Sequence, residues 1–248
     1  MRPDIVDLQA FYASRQGQLA RRLLNNQVRQ LWPDVSGMVV LGLGWAAPLL
    51  GAFDEAERTL AVLPPGHGTT AWPAEAASRT ALARDDELPL PDGSVDRVLL
   101  AHALETSPHA DRLMREVWRV LADGGRLIAM VPNRRGLWCL SERTPFGFGH
   151  PYSPGQLERM LRDHLFEPRA AGRALYLPPV RSHLLLRLAI PLERIGLRLA
   201  PRLAGVILLE AEKQIYVGTP QLARSKARKR RYVPVPEFVA AARSAAPT

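Results

Sequence analysis

The residues best placed for chemistry form a glycine turn, GLGW at 42–45. The turn follows an apolar run over 38–41, which is typical of a buried strand. Glycine lets the backbone turn sharply and approach a bound nucleotide closely, and the first strand-to-helix turn of an open parallel sheet is a ligand site. The spacing also fits the dinucleotide pattern GxGxxG/A. A nicotinamide or flavin enzyme needs an acid about 20 residues later, and residues 62–65 contain none, which disfavours that interpretation.

The elements that must position this turn alternate along the chain. The first 32 residues have helical periodicity, and Ser107 and Ser153 are the expected N-caps of two later helices. A double glycine at 124–125 is expected to end the first of those two. Alternation of strands and helices indicates a doubly wound parallel sheet. The predicted strands cover 38–41, 58–63, 80–83, 95–101 and 126–131, with two more at 173–177 and 205–217.

Three blocks in the middle of the chain resemble the class I S-adenosylmethionine-dependent methyltransferases of the type 11 group. They read ELPLPDGSVDRV over 87–98, HALE over 102–105 and REVWRVLADGGRLI over 115–128. In that family a segment similar to the first block leads into the fourth strand, and one similar to the third joins a helix to the fifth. The resemblance covers residues 36–132. It implies an α/β fold: a doubly wound, seven-stranded Rossmann-like sheet with a helical N-terminal arm and a helical insertion before the last strand.

The resemblance also implies S-adenosylmethionine as the cofactor, bound across the carboxyl edge of the sheet. The chain departs from the family pattern at three positions. Gly42 stands where an acid is usual, Pro64 replaces the acid that holds the ribose, and Arg84 occupies the register of an acid after the third strand. The residues at the family's cofactor positions are Gly42, Leu43, Gly44, Trp45, Asp85, Asp86, Leu88 and Ala101.

Two functions from different classes follow from this pattern. The first is a methyltransferase acting on an unidentified small-molecule acceptor, with Trp45 or Trp72 covering the cofactor. The second is a catalytically inactive protein of the same fold that serves as a binding or regulatory subunit, because a fold does not guarantee an activity. Methyl transfer depends mainly on holding the acceptor in line with an activated sulfonium. The chemistry therefore requires neither a catalytic dyad nor a metal site.

Candidate residues for the acceptor side follow the fourth and fifth strands. His102 is the candidate general base, suited to an oxygen or nitrogen acceptor; the alternative is that it bonds a local backbone carbonyl. The loop after the fifth strand can receive an anionic substrate through forked hydrogen bonds, or it is a solvated loop. The segment 146–153 is either a lid with glycine hinges or the apolar entry to a helix. The candidate substrate residues are Asn133, Arg134, Arg135 and Tyr152.

The last third of the chain combines leucine with arginine. The segment 182–203 suits a packed cover, a homodimer or protein-partner face, or a helix on an anionic membrane; the packed cover is the favoured interpretation. The net charge of +9 comes mostly from residues 221–248, which contain seven Arg or Lys and one Glu. The basic run at 224–231 can contact nucleic-acid phosphates or anionic lipid, although a solvated tail is favoured.

Length and composition limit the remaining choices. The 248 residues suit one methyltransferase-like domain over 1–220, with an arm at 1–35 and a helical cover at 178–204, followed by a basic, disordered tail over 221–248. A single cysteine excludes a disulfide scaffold and a metal site built on cysteines. No apolar run approaches the roughly 18 residues of a membrane span, and the N-terminus lacks a signal sequence. We therefore expect a cytoplasmic protein.

Overall fold

A seven-stranded mixed sheet organises the structure, a computed structural model that describes residues 4–65, 71–73, 77–179 and 188–215. The strand order is β3-β2-β1-β4-β5-β7-β6; β7 is antiparallel to both of its neighbours, and the other pairs are parallel. This architecture confirms the predicted fold class. The strands are β1 (Val39–Gly44), β2 (Arg58–Leu63), β3 (Thr80–Leu82), β4 (Val95–Ala101), β5 (Leu121–Pro132), β6 (Phe166–Ala174) and β7 (Val206–Lys213).

Helices cover both faces of the sheet. Ser14 separates the first two, because its N–H donates to the carbonyl of Ala10 and its hydroxyl oxygen accepts the N–H of Gly17. Ser153 and Gln156 form a complete capping box at the start of another, as predicted. Among the described residues no helix is long and apolar enough to cross a membrane. The α-helices are α1 (Ile5–Ala13), α2 (Arg15–Leu31), α3 (Ala47–Leu50), α4 (Ala110–Val120), α5 (Pro154–Asp163) and α6 (Ala189–Leu199).

Each face of the sheet buries its own apolar cluster, because successive residues of a strand point to opposite faces. In β4, Leu99 and Ala101 join the cluster that contains side chains of α1, α2 and α3. Val98 and Leu100 join the cluster on the other face, with α4 and α5. All four side chains are fully buried. The central strands therefore have no face in contact with solvent, which explains why they read as continuous apolar runs.

A buried carboxylate ties the N-terminal arm to the antiparallel side of the sheet. Glu210 of β7 is 4% exposed and accepts a hydrogen bond from the indole N–H of Trp32 at 3.1 Å. Arg126 of β5 lies 3.4 Å from the same carboxylate oxygen. A buried carboxylate is costly unless it is paired and hydrogen-bonded. Glu210 thus fixes the end of α2 against the sheet.

The observed glycine turn differs from the predicted one. β1 does not stop at Leu41 but continues through the glycines to Gly44, which pairs with Ala101 of β4. The two glycines therefore lie within the strand. The observed bounds of β2 and β4 are those predicted from their apolar runs, 58–63 and 95–101.

The predicted ends of α4 are wrong. The helix begins at Ala110 with His109 at the N-cap, and Ser107 accepts the N–H of His109 without capping the helix. It ends at Val120, because Leu121 already pairs with β4. The double glycine consequently lies inside β5.

The predicted strand at 173–177 is also misplaced. β6 begins at Phe166, ends at Ala174, and pairs with β7 along its whole length. Pro168 lies within β6 beside a bulge, which an edge strand tolerates and which conceals the strand in the sequence. The chain then reaches α6, which lies between β6 and β7 within the predicted cover. Residues 180–187 of that cover and the predicted tail over 221–248 lie outside the described residues.

Gly17 and Gly155 provide a matched test of the corner between α1 and α2. A Cβ at Gly17 would overlap the carbonyl oxygen of Phe11, whereas a Cβ at Gly155 in α5 would meet nothing within 4 Å. We expect Gly17→Ala to lower the free energy of unfolding by about 1–3 kcal/mol, although alanine favours helices. Gly155→Ala should leave it unchanged or raise it by up to about 1 kcal/mol. Urea denaturation followed by circular dichroism measures the free energy of unfolding of both variants. Equal losses of stability in the two variants would contradict close packing at the corner between α1 and α2.

Candidate functional site

A narrow cleft lies at the carboxyl edge of the sheet, next to the point where β1 separates β2 from β4. In doubly wound sheets this switch point is where ligands bind. The enclosed space is about 10 Å³, the room of about one water molecule. The residues that line it are Leu43, Gly44, Val62, Pro64, Ala83, Asp85, Leu88, Ala103, Thr106 and Leu113.

The backbone at Gly44 shapes this cleft. Gly44 has a φ of +74°, in the left-handed region, and a Cβ there would overlap the carbonyl oxygen of Ala101 and the side chain of Ala103. The next residue, Trp45, donates its N–H to the same carbonyl of Ala101 at 2.7 Å. Only glycine adopts this left-handed conformation readily and also leaves room for the carbonyl of Ala101. The end of β1 is therefore clamped onto the end of β4.

The structure brings together half of the predicted cofactor residues. Leu43, Gly44, Asp85 and Leu88 line the cleft, and Asp86 lines an adjoining one. The remaining three are buried behind the turn and do not line either cleft: Gly42, Trp45 and Ala101.

Neither of the two tryptophans predicted to cover the cofactor lines these clefts. Trp45 is 4% exposed and packs in the cluster shared with α1, α2 and α3, against which Trp72 is partly buried. The backbone N–H of Trp45 is bonded to the carbonyl of Ala101 at the end of β4, and its indole lies in the core. Gly42 has a packing role, since a Cβ there would lie 2.6 Å from the Cβ of Ala46.

The adjoining cleft has a volume of about 180 Å³ and shares Asp85 with the first. In it, Asp86 accepts hydrogen bonds from Arg84 at 2.9 and 3.0 Å and from Arg112 at 3.3 Å. The hydrogen bonds from Arg84, above all, hold the pKa of Asp86 well below its usual range. Asp86 is thus already paired with two guanidinium groups. Asp85 lines both clefts.

These residues fit part of a nucleoside cofactor. The open turn at Gly44 and the apolar side chains of Val62 and Leu88 suit the close approach of a nucleoside, and Asp85 offers a carboxylate to its polar groups. Gly42 and Pro64 supply no carboxylate at two positions where the resemblance leads us to expect an acid. A ligand as large as S-adenosylmethionine also requires the cleft to widen.

A buried polar group lies on the other side of the Gly44 turn. His102 is 1% exposed and has a φ of +51°, a strained conformation for a residue other than glycine. Its Nε2 lies 2.9 Å from the hydroxyl of Tyr12, and its Nδ1 lies 3.3 Å from Oε1 of Glu105. The carboxylate favours the tautomer protonated on Nδ1, which leaves Nε2 to accept from Tyr12. Burial and the charge of Glu105 raise the pKa of Tyr12 far above its ordinary value, so Tyr12 remains a neutral donor.

Aromatic rings enclose this group. The ring of Phe146 lies 4.7 Å from that of His102, and Phe11 lies 5.1 Å from Tyr12. Trp138 meets Phe146 edge-on at 5.4 Å. Tyr12 and Phe11 come from α1, whereas Trp138 and Phe146 come from the segment between β5 and α5. The N-terminal arm and this segment together seal His102 from solvent.

The segment 146–153 lies against the same place. Gly149 has a φ of +78°, and a Cβ there would overlap the carbonyl oxygen of Glu105. Within the described ranges, Oε2 of Glu105 and Nε1 of Trp45 have no hydrogen-bond partner although both are buried. Each such atom costs about 1–3 kcal/mol. Unpaired polar atoms in a closed, strained pocket are typical of functional sites.

The predicted substrate residues after β5 divide into two kinds. Asn133 is 3% exposed, and its Nδ2 donates to the carbonyl of Ala204 at 2.7 Å, so its amide holds the chain that enters β7. Tyr152 accepts the N–H of Arg134 on its backbone carbonyl at 2.9 Å, and its ring is half-buried. Arg134 and Arg135 have exposed side chains. Of these four residues, the two arginines are the ones open to a solvent-borne substrate.

The third sequence block, residues 115–128, holds one edge of the cleft in place. Glu116 accepts the N–H of Leu88 at 2.8 Å, and Arg119 donates to the carbonyls of Leu88 and Leu90 at 2.9 and 2.8 Å. Arg119 also binds Glu116 at 2.7 Å, and this hydrogen bond lowers the pKa of the Glu116 carboxyl. The block therefore contributes to the site by fixing the backbone that carries Leu88.

Sequence reasoning missed Tyr12 as a site residue. The helical periodicity of the arm predicts it only as part of the core, and its partner His102 lies 90 residues away in the chain. The only signal was the phenolic hydroxyl itself, because a buried tyrosine normally needs a hydrogen-bond partner.

Comparison with known proteins identifies the central part of the chain. Residues 42–129 match the family model described as a methyltransferase domain. This match confirms the resemblance drawn from the three sequence blocks. No curated protein matches the sequence.

Solved structures share the fold at low sequence identity. An S-adenosylmethionine-dependent methyltransferase of Thermotoga maritima has a TM-score of 0.58 and 15% identity, covering 85% of this chain and 96% of the other. A chain of the Haloferax volcanii complex between the Trm112 methyltransferase activator and a methyltransferase has a TM-score of 0.62 and 16% identity, covering 87% and 100%. The 4+2 cyclase SpnF has a TM-score of 0.54 and 19% identity, covering 80% and 83%. These likenesses show the fold alone.

Glu116→Gln tests how the cleft edge is held. We expect it to lower the free energy of unfolding by about 1–2 kcal/mol at neutral pH, since it weakens a charge-assisted hydrogen bond. The folded-state pKa of Glu116 lies below its ordinary value of 4.5, so its contribution is present above that value and is lost as the pH falls through the folded-state pKa. Urea titrations at neutral and acid pH measure the difference from the unmodified protein.

The control for this prediction is Glu158→Gln on α5, where the carboxylate is 42% exposed and pairs with Arg162 at 3.6 Å. An exposed pair of this kind contributes about 0.3–0.5 kcal/mol. If the loss in Glu116→Gln were independent of pH, the carboxylate would not be the group that holds Leu88.

Proposed function

We propose that the chain binds S-adenosylmethionine at the carboxyl edge of the sheet and methylates a small-molecule acceptor. The match of residues 42–129 to the family model described as a methyltransferase domain supports this proposal. The observation that carries the proposal is the left-handed turn at Gly44. It lies at the switch point of the sheet and faces a cleft lined by Asp85 and Leu88. A turn with this geometry admits a nucleoside against bare backbone.

In this proposal, different residues of the cleft contact different parts of the cofactor. Leu43 and Gly44 would meet the methionine and ribose, and Asp85 and Leu88 the adenine. When bound, the cofactor supplies a methyl group already activated on a sulfonium. The chain lacks carboxylates at Gly42 and Pro64, each of which would add a charge-assisted hydrogen bond of about 1.5–3 kcal/mol. We therefore expect binding in the micromolar range rather than tighter.

The acceptor side of the proposal rests on His102. The hydroxyl of Tyr12 lies 2.9 Å from its Nε2 and stands where an acceptor hydroxyl would lie. With α1 displaced, Nε2 of His102 would take the proton of an acceptor O–H as the acceptor oxygen receives the methyl group that the cofactor would supply. Glu105, 3.3 Å from Nδ1, stabilises the imidazolium that forms. We propose a hydroxyl-bearing acceptor for this reason.

The second candidate function is a binding or regulatory subunit without catalysis. The observation that favours it is the narrowness of the cleft, about 10 Å³, together with the missing carboxylates. Among the structural neighbours, SpnF is described as a cyclase, and the Haloferax volcanii chain belongs to a complex with an activator protein. In this alternative, a protein partner takes the place of the acceptor.

Calorimetric titration with S-adenosylmethionine and, separately, S-adenosylhomocysteine tests cofactor binding. We expect micromolar affinity for both. Gly44→Arg should abolish binding because a side chain at Gly44 overlaps the carbonyl of Ala101. Asp85→Ala, a milder change, should weaken binding about tenfold. The control is Gly51→Ala, since a Cβ at Gly51 meets nothing within 4 Å.

The outcome of this titration separates the two candidate functions. Affinity that falls in the cleft variants and persists in Gly51→Ala supports the methyltransferase. No heat with either ligand, from protein that circular dichroism shows to be folded, contradicts it and leaves the regulatory subunit as the better description.

Substitutions at His102 and Tyr12 test the acceptor side. We expect His102→Gln to lower kcat about 10²–10⁴-fold, because the general base is lost, while cofactor affinity is unchanged. Tyr12→Phe should retain or raise the activity, since it removes the hydroxyl that competes for Nε2. Transfer of radiolabelled methyl from the cofactor to a panel of phenols and alcohols measures this. Equal rates in His102→Gln and the unmodified protein would exclude His102 as the base.

A further inference from the structure

Exposed apolar side chains gather at one rim of the molecule. Of the eleven large apolar side chains that are exposed among the described residues, seven lie in two segments, 137–140 and 188–203. Single exposed apolar residues need no explanation, whereas a group of them marks an interaction surface. We call these seven residues the rim face: Leu137, Leu140, Leu188, Ile195, Leu197, Leu199 and Leu203.

The two segments of the rim face are joined by direct contacts. Asn133, just before the first segment, donates from Nδ2 to the carbonyls of Arg202 and Ala204 at 3.1 and 2.7 Å. A Cβ on Gly136 would overlap the carbonyl oxygen of Ala204, so the backbones touch there. The first segment therefore starts beside the C-terminal end of the second, at the end of β5.

The orientation of α6 determines which of its residues face outward. Glu193 accepts the N–H groups of Leu175 and Tyr176 at 2.6 and 2.8 Å, and a Cβ at Gly196 would lie 2.5 Å from the Cβ of Tyr176. These residues hold one face of the helix against the end of β6. The other face carries Leu188, Ile195 and Leu199, which recur at spacings of seven and four.

Arginine accompanies these apolar residues. Arg198 and Arg202 lie beside Leu199 and Leu203, and Arg134 and Arg135 precede Leu137; all four side chains are exposed. In the part of the chain that the structure describes, none of the four makes a salt bridge. The nearest acid on α6, Glu193, is turned inward by its bonds to β6. The rim face thus combines exposed leucines with unneutralised positive charge.

From this combination we propose that the rim face binds the surface of an anionic lipid bilayer. Leucine and isoleucine side chains insert below the headgroups while flanking arginines meet lipid phosphates, as in interfacial amphipathic helices. A second copy of the chain is a poorer partner, because two such faces would bring like charges together. The proposal is independent of methyl transfer, since it concerns binding alone.

Sedimentation of the full chain with lipid vesicles tests the proposal. The two vesicle types are phosphatidylcholine alone and phosphatidylcholine mixed with phosphatidylglycerol. We expect binding to the anionic vesicles and little to the neutral ones. The double substitution Ile195→Asp with Leu199→Asp should weaken binding at least about tenfold, because two large apolar side chains no longer leave water. Arg198→Ala and Arg202→Ala should each weaken it about fivefold.

Two controls keep the result specific. Val6→Asp changes an apolar residue that is 64% exposed on α1 and is not part of the rim face, and this variant should bind like the unmodified protein. A variant with the basic residues at 228–231 changed to alanine separates the rim face from the C-terminal basic run. Circular dichroism confirms that each variant is folded.

Three results would overturn the proposal. They are absence of binding to anionic vesicles, full binding by the double Asp variant, and loss of binding that follows the change at 228–231 alone. A dimer in light scattering that the double Asp substitution dissociates would also overturn it, by assigning the rim face to a second copy of the chain.

Discussion

The whole carboxyl edge depends on one close backbone contact, between Gly44 at the end of β1 and the carbonyl of Ala101 at the end of β4. A Cβ at Gly44 would overlap that carbonyl oxygen, and the N–H of Trp45 donates to it at 2.7 Å. The contact requires a left-handed residue without a side chain. It joins the two central parallel strands at the switch point of the sheet. The narrow cleft lies on one side of this contact, and buried His102 lies on the other.

The two sides of the contact differ in how they are closed. The cleft side is bounded by apolar residues and by carboxylates, and its loop is held from α4 by Glu116 and Arg119. The His102 side is sealed by aromatic rings from α1 and from the segment before α5. The contact between Gly44 and Ala101 leaves no room for a side chain and therefore separates the two sides.

Several polar groups at this edge serve the architecture rather than a ligand. Asp86 is bound by Arg84 and Arg112, and the amide of Asn133 is bound by the chain that enters β7. Glu193 likewise holds α6 in place, because it accepts the N–H of Leu175. These bonds fix the loops. Side chains that lack a hydrogen bond or a salt bridge within the protein are therefore the better candidates for contact with a ligand or a partner. Within the described residues these include the buried atoms around His102 and the exposed arginines of the rim face.

The sequence alone determined the fold class and the bounds of β2 and β4, because buried parallel strands read as apolar runs. It also identified Leu43, Gly44, Asp85 and Leu88 as cleft residues, since motif spacing places them after successive strands. Only the tertiary structure decided that Trp45 points into the core, that β6 begins at Phe166, and that Tyr12 meets His102 across 90 residues. These features depend on strand pairing and on packing between distant segments, and local periodicity contains no information about either.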